Sequence, residues 1–416
     1  MGFFDDIPQQ KNHKRATCVS CGLYQSAKTP RIEMYGKFKK QIMIIADQVM
    51  EEDDIKGKHF QSKNIHLLNG YLRKFDIDLF QDCLITTAVQ CFTKLDSFDN
   101  LILPTSQQIT CCRSRVLNQI KESKPKLIFL LGSAAVESVI GFRWQNSLWN
   151  INKWRGWTIP DRDFNAWLCP IFSYTDIEKD RRELRIIWEQ DIENALSKLE
   201  NAFPVYESEH SQIEIIEDLS ILMQLEAPIA FDYETTGLKP QQQGHEIICG
   251  SASGSNNKSY AFMMPEKGTK NYKRLIKFLT SDISKCGQNI KFEDTWTKEI
   301  IGVNVNNWVW DCMLATHILD NRPDICGLKF QSLVQFGIYD YASNVSQYLK
   351  AKDNKNANAF NEIKNLISTE TGKRNLLIYC GIDSLLERRL CVQQMKEFER
   401  LKELKEEEEK DLPPWD

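Results

Sequence analysis

The amino-acid sequence predicts an α/β protein of two domains. At 416 residues the chain is too long for one ordinary hydrophobic core. From residue 17 to about 175, apolar runs typical of buried strands alternate with amphipathic helical segments, which is the pattern of a three-layer α/β/α domain with a mainly parallel sheet. A second series of apolar runs and helical segments begins near residue 213. The two series therefore predict two separate sheets.

Short apolar runs predict the individual strands. In the first domain we expect strands at 41–46, 83–89, 126–132 and 166–172, an amphipathic helix at 109–121 and a long surface helix of mixed charge at 176–200. In the second domain we expect strands at 228–233, 246–252 and 258–264, helices at 271–280 and 291–300, and mostly helix from there to about 400.

The predicted boundaries divide the chain into five parts. The linker is recognised by a proline among polar residues in NAFPVYESEHSQ. The parts are a flexible N-terminus at 1–16, the first domain at 17–200, the linker at 201–212, the second domain at 213–400 and an acidic tail at 401–416. Because the tail ends in Pro-Pro-Trp-Asp, it is interpreted either as a docking peptide or as a frayed terminus.

The composition is that of a soluble globular protein, with 42% hydrophobic and 26% charged residues. A net charge of −4 gives no general attraction to nucleic acid, so any contact with DNA must come from a local basic patch. No apolar stretch is long enough to span a bilayer or to form a signal peptide, and we expect a cytoplasmic protein with no membrane partner. Thirteen cysteines in such a chain favour a metal or cluster site over disulfides.

An acidic pair lies at the end of a predicted strand in PIAFDYETTGLKP, residues 228–240. On a strand, Asp232 and Glu234 point to the same face while Tyr233 points away. Two carboxylates a few ångströms apart repel by roughly 4 kcal/mol at an effective dielectric near 20, and a bound divalent cation reverses that sign. Two such cations can hold the attacking and leaving oxygens of a phosphodiester. The pair is either half of a metal site or a charged strand end.

Two later segments complete an ordered set of motifs. GQNIKFED (287–294) places an Asn and two acids at the start of a helix, and YCGIDSLLERRL (379–390) places Tyr379 and Asp383 on one helix face. The order Asp-x-Glu, Asn-x-x-Phe-acid, Tyr-x-x-x-Asp resembles the DEDD exonucleases, and in particular the tyrosine-containing branch that proofreads for family A DNA polymerases. The resemblance covers roughly 213–395 and implies an RNase H-like domain that hydrolyses from a free 3′ end.

This resemblance implies a role for each matching residue. Asp232, Glu234 and Asp383 match the carboxylates that hold two divalent ions, Mg²⁺ or Mn²⁺, and Tyr379 matches the residue that orients the attacking water. The acid of the second motif is normally Asp, whereas the aligned residue here is Glu293, with Asp294 beside it; the longer side chain still reaches a metal-bound water. The residues that match contacts with the terminal nucleotide are Thr235, Gly237, Asn289 and Lys291.

The first domain contains candidate metal-binding cysteines. TCVSCGLY (17–24) holds a Cys-x-x-Cys pair, and Cys91, Cys111 and Cys112 follow. Four thiolates bind either zinc or an iron–sulfur cluster, and spacing alone does not decide between them. Buried free thiols without a metal are also common.

The surroundings of these cysteines resemble the iron–sulfur uracil-DNA glycosylases of family 4. The shared features include DDIKG (53–57) followed by Phe60, a Pro-Thr helix that carries Cys-Arg, and the turn LGSAA (131–135). The resemblance covers about 15–195 and implies a uracil-DNA glycosylase-like fold with a 4Fe-4S cluster, or zinc as the alternative. The implied ligands are Cys18, Cys21, Cys91 and Cys112.

The motifs that excise uracil in that family are not matched. The loop with the water-positioning acid is ADQVM (46–50), the Asn that reads uracil aligns with Thr87, and the His of the last motif aligns near Ser173. A flipped uracil needs those contacts. Asp47 is the candidate substitute for the missing acid, but we expect the fold to serve another purpose.

Segment 142–167 predicts a surface that holds DNA. It interleaves five tryptophans with basic residues, and aromatic rings stack on bases while cations follow phosphates. Trp154 and Arg155 are the candidate contacts, although such tryptophans are as often part of the core.

The two resemblances together match a bacteriophage arrangement of a glycosylase-like module before a proofreading domain. The leading hypothesis is a metal-dependent 3′–5′ DNA exonuclease that acts on single-stranded DNA or a primer 3′ end. Its expected partner is a separate DNA polymerase chain in the cytoplasm of the infected host. The alternatives are a non-catalytic DNA- or polymerase-binding subunit, which only Glu293 favours, and a glycosylase of altered specificity.

Overall fold

The computed structural model describes residues 18–63, 65–97, 101–144, 149–177, 182–351, 353 and 356–411. The predicted flexible N-terminus at 1–16 and the Trp415 docking element lie outside these residues. The chain divides into two compact units, Met1–Tyr206 with Leu333–Tyr339 and Glu207–Ser332 with Asp340–Asp416. The first boundary between them falls within the predicted linker.

The first unit is built on a five-stranded, mainly parallel sheet. Its strands are β1 (Ile42–Val49), β2 (Cys83–Phe92), β3 (Leu127–Leu131), β4 (Ile159–Asp161) and β5 (Ala166–Ile171). The order across the sheet is β2-β1-β3-β5-β4, and only the edge strand β4 is antiparallel. The four strands expected from the sequence are present, and the three-residue β4 was not predicted.

Helices cover the two faces of this sheet. They are α1 (Cys18–Cys21), α2 (Glu51–Lys56), α3 (Ile65–Leu72), α4 (Leu79–Asp82), α5 (Ser106–Ser123), α6 (Ser133–Ile140), α7 (Ile151–Trp154), α8 (Tyr174–Ile177) and α9 (Arg182–Leu196), with 3₁₀ turns at Leu23–Gln25, Arg73–Phe75 and Ser197–Glu200. Ile42 and Ile44 pack with Trp188 on one face, while Val89 packs with Ile109 on the other. The expected three layers are therefore present.

A capping box explains why α5 begins earlier than the amphipathic pattern alone predicts. The Thr105 hydroxyl accepts a hydrogen bond from the Gln108 backbone N–H at 3.3 Å, and the Gln108 side chain accepts one from the Thr105 N–H at 2.9 Å. These two bonds satisfy backbone donors that have no partner within the helix. The helix consequently includes Ser106 and reaches Cys111 and Cys112 in its second turn.

The second unit is built on a six-stranded mixed sheet. Its strands are β6 (Ile213–Ile215), β7 (Ile229–Thr235), β8 (Ile247–Ser253), β9 (Ser259–Met263), β10 (Lys285–Gly287) and β11 (Trp308–Asp311). The order is β11-β10-β7-β8-β9-β6, with β8 antiparallel to both of its neighbours and β10 and β11 parallel to β7. The five strands from β11 to β9 have the RNase H-like arrangement. The unpredicted strands β6, β10 and β11 are three or four residues long, too short for a clear alternating pattern.

The helices of this unit end in one very long element. They are α10 (Lys270–Leu279), α11 (Lys291–Trp296), α12 (Cys312–Leu319), α13 (Leu328–Phe336), α14 (Ser346–Leu349), α15 (Ile363–Leu366) and α16 (Glu370–Asp411), with 3₁₀ turns at Glu209–Gln212 and Leu219–Gln224 and a π-helical turn at Thr297–Ile301. The end of α13, from Leu333 onward, belongs to the first unit. Helix α16 is 42 residues long and packs on strands β6 to β10. It continues to Asp411, so the segment predicted as a tail begins inside a helix. No described helix is both long and apolar enough to cross a membrane.

Candidate active site

Strand β7 holds the acidic pair on one face of the second sheet. Phe231 and Tyr233 lie in the core, and the Tyr233 hydroxyl is 3.2 Å from the Thr297 hydroxyl. Asp232 and Glu234 point to the opposite face and are partly exposed. Because antiparallel pairing with β8 fixes the backbone of β7, the two carboxylates are placed by the sheet itself.

Helix α16 brings the third motif against this pair. The Cys380 sulfur lies 3.6 Å from Asp232 Oδ2, and ligand atoms of Asp232, Glu234 and Cys380 lie within 4.8 Å of one another. Asp383 is close enough that its charge, after burial, raises the pKa of Asp232 well above its ordinary value. The acids predicted from the first and third motifs therefore meet, together with a thiol that was not predicted.

Two stacked tyrosines hold Asp383. The Tyr341 hydroxyl donates a 2.6 Å hydrogen bond to Asp383 Oδ1, and the rings of Tyr341 and Tyr379 stack with their centres 5.8 Å apart. Burial raises the pKa of Asp383, whereas the Lys329 charge and hydrogen bonds from both tyrosines lower it. Lys329 Nζ also lies 5.5 Å from the centre of the Tyr379 ring. Tyr341 and Lys329 lie outside the three motifs and were not predicted as site residues.

The second motif turns Glu293 toward the same site. Asn289 has a left-handed backbone with φ of 60°, and the Asp311 side chain accepts hydrogen bonds at 3.1 Å from the N–H groups of Asn289 and Ile290. This clamp fixes the start of α11. Glu293 is then buried, 3% exposed, and the charge of Asp232 adds to burial in raising its pKa, whereas Asp294 is partly exposed. Glu293, and not its neighbour, is the acid of the second motif that the structure brings to the site.

A fifth carboxylate, Glu387, lies one helical turn after Asp383 and was also missed. It is 2% exposed, and burial followed by the charges of Asp232, Glu293 and Asp383 raises its pKa. Glu387 follows Asp383 by four residues on α16, and this helical spacing is the signal in the sequence that could have identified it.

The electrostatics of these acids fit divalent cations. The pKa of each carboxyl group is raised, first by burial and then in most cases by its acidic neighbours, so the ionised cluster is unfavourable without a counter-charge. Among the described side chains, Glu293 Oε2 and Glu387 Oε2 have no hydrogen-bond partner. Carboxylate oxygens are the ligands that Mg²⁺ and Mn²⁺ prefer, and the donor set therefore suits these ions.

The residues predicted to contact the terminal nucleotide shape the chain around the acids. The Thr235 hydroxyl is buried and donates to the Gly237 carbonyl at 2.7 Å. A Cβ at Gly237 would lie 2.1 Å from His245 Cε1, so only glycine fits there. Lys291, on the first turn of α11, is exposed. Their contact with a nucleotide, and that of Asn289, stays a prediction.

The predicted DNA-holding role of Trp154 is wrong. Trp154 is fully buried, with its ring stacked on that of Trp149 at 5.6 Å, so it has no free face for a base. Arg155 donates to both carboxylate oxygens of the buried Asp191, at 2.9 and 3.0 Å. The guanidinium is therefore engaged within the first unit and is not a free cation for a phosphate.

The predicted cysteine ligands line one cavity of about 210 Å³ in the first unit. Cys111 also lines it. Burial raises the pKa of the Cys112 thiol to about 12, and the charges of Cys21, Cys91 and Cys18 raise this pKa as well. Within the described part of the chain, no three of these sulfurs come within 4.8 Å of one another. Four sulfurs around one zinc ion lie about 3.8 Å apart, given a Zn–S bond of about 2.3 Å. The described cysteines thus line one cavity without being grouped as tightly as the ligands of one zinc ion.

The Asp47 carboxylate caps a helix. Its Oδ1 accepts hydrogen bonds from the N–H groups of Ala134 and Ala135, at 2.8 and 3.0 Å, at the start of α6. Burial raises the Asp47 pKa to about 7, and these two bonds oppose the shift. The hydroxyls of Thr87 and Ser173 are likewise engaged within the chain, with the Val89 carbonyl and the Thr175 hydroxyl.

Several solved structures resemble part of this chain. Brucella melitensis NrnC with bound Mg²⁺ is 19% identical with a TM-score of 0.34, over 47% of this chain and 83% of that chain. Escherichia coli RNase D, an exoribonuclease involved in structured RNA processing, is 13% identical with a TM-score of 0.34, over 45% of each chain. The catalytic core of RRP6 from Trypanosoma brucei is 12% identical with a TM-score of 0.28, over 44% and 50%. No curated protein matches the chain.

Two families match consecutive parts of the sequence. Residues 33–190 match the uracil DNA glycosylase superfamily, and residues 190–391 match a family described as 3′–5′ exonuclease. Together with the two sheets, these matches confirm the predicted fold class. The chain therefore joins a domain of the uracil DNA glycosylase superfamily to a 3′–5′ exonuclease domain.

Proposed function

We propose that the protein is a metal-dependent 3′–5′ DNA exonuclease. The observation that carries the proposal is the meeting of Asp232, Glu234, Glu293 and Asp383, with Tyr379, on one face of the sheet beneath α16. Three separate chain segments supply these side chains. A solvated strand end would not gather four carboxyl groups whose pKa values are all raised, and bound cations would offset their repulsion when ionised.

Each side chain has a task in the hydrolysis. When bound, two divalent cations would activate a water molecule and stabilise the charge that develops on the departing 3′ oxygen. Asp232 belongs to the centre of the cluster, because its charge acts on the other acids. Tyr379, stacked on Tyr341 and hydrogen-bonded to Asp383, is placed to orient the attacking water. No covalent intermediate with the protein is required.

The proposed substrate is DNA, as a single strand or a primer 3′ end. A domain of the uracil DNA glycosylase superfamily on the same chain supports DNA over RNA. Proofreading for a separate polymerase chain, in the cytoplasm of an infected host, is the biological role that the resemblance of the motifs favours. In this proposal the first domain binds DNA or the partner and does not excise bases, because Asp47, Thr87 and Ser173 are engaged within the chain.

We further propose that Cys18, Cys21, Cys91 and Cys112 hold a 4Fe-4S cluster that stabilises the first domain. The cavity of about 210 Å³ that all four cysteines line supports a bound group here, and the resemblance to the iron–sulfur glycosylases favours a cluster over zinc. A cluster at this position connects α1, the end of β2 and α5, which are far apart in the sequence.

The test is digestion of a 5′-labelled single strand with Mg²⁺ or Mn²⁺. Wild type should give a ladder that shortens from the 3′ end, and chelator or the double variant Asp232→Asn, Asp383→Asn should abolish it. Asp294→Asn is the matched control, because this acid adjoins Glu293 but is partly exposed. Equal ladders from wild type and double variant would mean a contaminating nuclease.

The same assay decides between the competing functions. No ladder from pure wild type would favour the non-catalytic subunit. Faster digestion of an RNA strand than of a DNA strand of the same sequence would overturn the DNA assignment. Strand scission only at uracil or another base, after treatment that opens abasic sites, would favour a glycosylase.

A further inference from the structure

Glu387 is the acid of the site that the three motifs leave without a role. Its side chain is 2% exposed. Among the described residues no hydrogen-bond donor reaches its Oε2. The carboxylate accepts a hydrogen bond from the backbone of Gln288. A desolvated carboxylate with a free oxygen destabilises the protein unless a positive charge comes close to it. Either a proton, which the raised pKa of Glu387 favours, or a cation that binds nearby offsets this cost.

The basic neighbour on the same helix does not supply that charge. Arg388 follows Glu387 directly, and consecutive side chains on a helix point in different directions. Arg388 Nε and Nη1 have no partner among the described residues. Its charge acts on Cys391 and, as the charge of Glu387 also does, on Cys286. No ion pair joins Arg388 to Glu387 within the described part of the chain.

Glu387 instead belongs to one end of the acid cluster. The charges that act on it are those of Asp232, Glu293 and Asp383. Lys329, by contrast, acts on Glu234 and Asp383, beside Tyr379. The cluster thus has a Glu234 end with Lys329 and a Glu293 end with Glu387. Both glutamates of the second end have an oxygen without a partner.

We propose that Glu387 holds the divalent cation at the Glu293 end of the site. The inference rests on the proposed function, since it assigns a further residue to the same metal site. Among the described residues only Asp232, Glu234 and Cys380 bring ligand atoms within 4.8 Å of one another. Glu387 is therefore placed to contact a hydrated ion through its water molecules, several of which Mg²⁺ normally keeps. In this arrangement Glu293 and Glu387 share the task that the sequence alone assigned to Glu293.

The experiment compares metal-free full-length wild type with Glu387→Gln, which keeps the shape of the side chain and removes its charge. Mn²⁺ binding is measured by electron paramagnetic resonance without nucleic acid, and thermal unfolding is measured in chelator. Glu403→Gln is the matched control, because Glu403 is an exposed glutamate on the same helix.

We expect wild type to bind two Mn²⁺ ions and Glu387→Gln to bind one of them about tenfold or more weakly, the scale of residues that act through the ligands of a metal. The metal-free variant should be as stable as wild type or more so, because an uncompensated charge has been removed. Unchanged affinities for both ions would overturn the inference. Lower stability of the metal-free variant together with weaker binding would assign Glu387 a structural role and would also overturn it.

The outcome is separable from that of the proposed function. If wild type binds two ions and shortens DNA while Glu387→Gln binds both ions normally, only the inference fails. If wild type binds two ions without shortening DNA, the proposed function fails and the Mn²⁺ titration of the variant still decides the inference. If wild type binds no Mn²⁺, both are wrong.

Discussion

Replacing Asp232 by asparagine should stabilise the metal-free exonuclease domain while abolishing its activity. The nearest ligand atoms of Asp232 and Glu234 lie within 4.8 Å, and two unit charges at that distance repel by about 3–4 kcal/mol at an effective dielectric near 20. Because the raised pKa values keep protons on part of the cluster at a pH where free carboxyl groups have lost theirs, the stability gained should be smaller, about 1–2 kcal/mol. For a domain of this size that is an increase in Tm of about 2–8 °C.

The assay is thermal unfolding in chelator at pH 8 and at pH 5, with Asp294→Asn as the control. The gain from Asp232→Asn should be larger at pH 8, where more of the wild-type carboxylates are ionised. Addition of Mg²⁺ should stabilise wild type and leave the variant nearly unchanged. A lower Tm for Asp232→Asn in chelator at pH 8 would refute the reasoning, since Asp232 would then hold the fold together and not strain it.

Four further predictions concern pH, the tyrosine, the cysteines and the helix cap. The raised carboxyl pKa values mean that the folded, metal-free domain holds protons that the unfolded chain has lost. The stability of this domain should therefore fall as pH rises above about 4, and a stability that rises with pH would contradict this. Tyr379→Phe should lower kcat about 10²-fold or more with unchanged Mn²⁺ binding, and an equal loss of binding would show that Tyr379 acts on the metal site. Cys91→Ser should reduce the iron and sulfide content of anaerobically purified protein, whereas Cys83→Ser, at the other end of β2, should not. Equal iron and sulfide contents in wild type and both variants would exclude the cluster. Asp47→Ala should cost the first domain about 1 kcal/mol through loss of the α6 cap, with Asp47→Asn costing less, and equal Tm values for both variants and wild type would remove this role.

The acids of the site were predictable wherever local geometry alone decides which way a side chain points. Alternation along a strand places Asp232 and Glu234 together, and helical spacing places Tyr379 with Asp383. Tyr341 was not predictable in this way, because its bond to Asp383 joins residues 42 positions apart in irregular chain and helix. Only the folded chain shows that contact.

The failures have equally physical causes. A segment of tryptophans and basic residues has the same sequence pattern whether its rings are exposed or buried. In the structure the Trp154 ring packs against those of Trp144 and Trp149. Strand β10 is three residues long, so its alternation is invisible in the sequence, although it places the second motif beside β7. Burial of this kind depends on tertiary contacts, which override local pattern.

The separation of β7 and α16 along the chain has a consequence for biosynthesis. Asp232 and Cys380, which touch in the folded domain, are 148 residues apart. At a translation rate of about 5–20 residues per second, roughly 7–30 seconds pass between their emergence from the ribosome. During that interval the nascent chain has the first two acids but not Asp383 or Tyr379. The acidic site is therefore complete only after α16 has been made and has docked, and under the proposed function a partly synthesised chain is inactive.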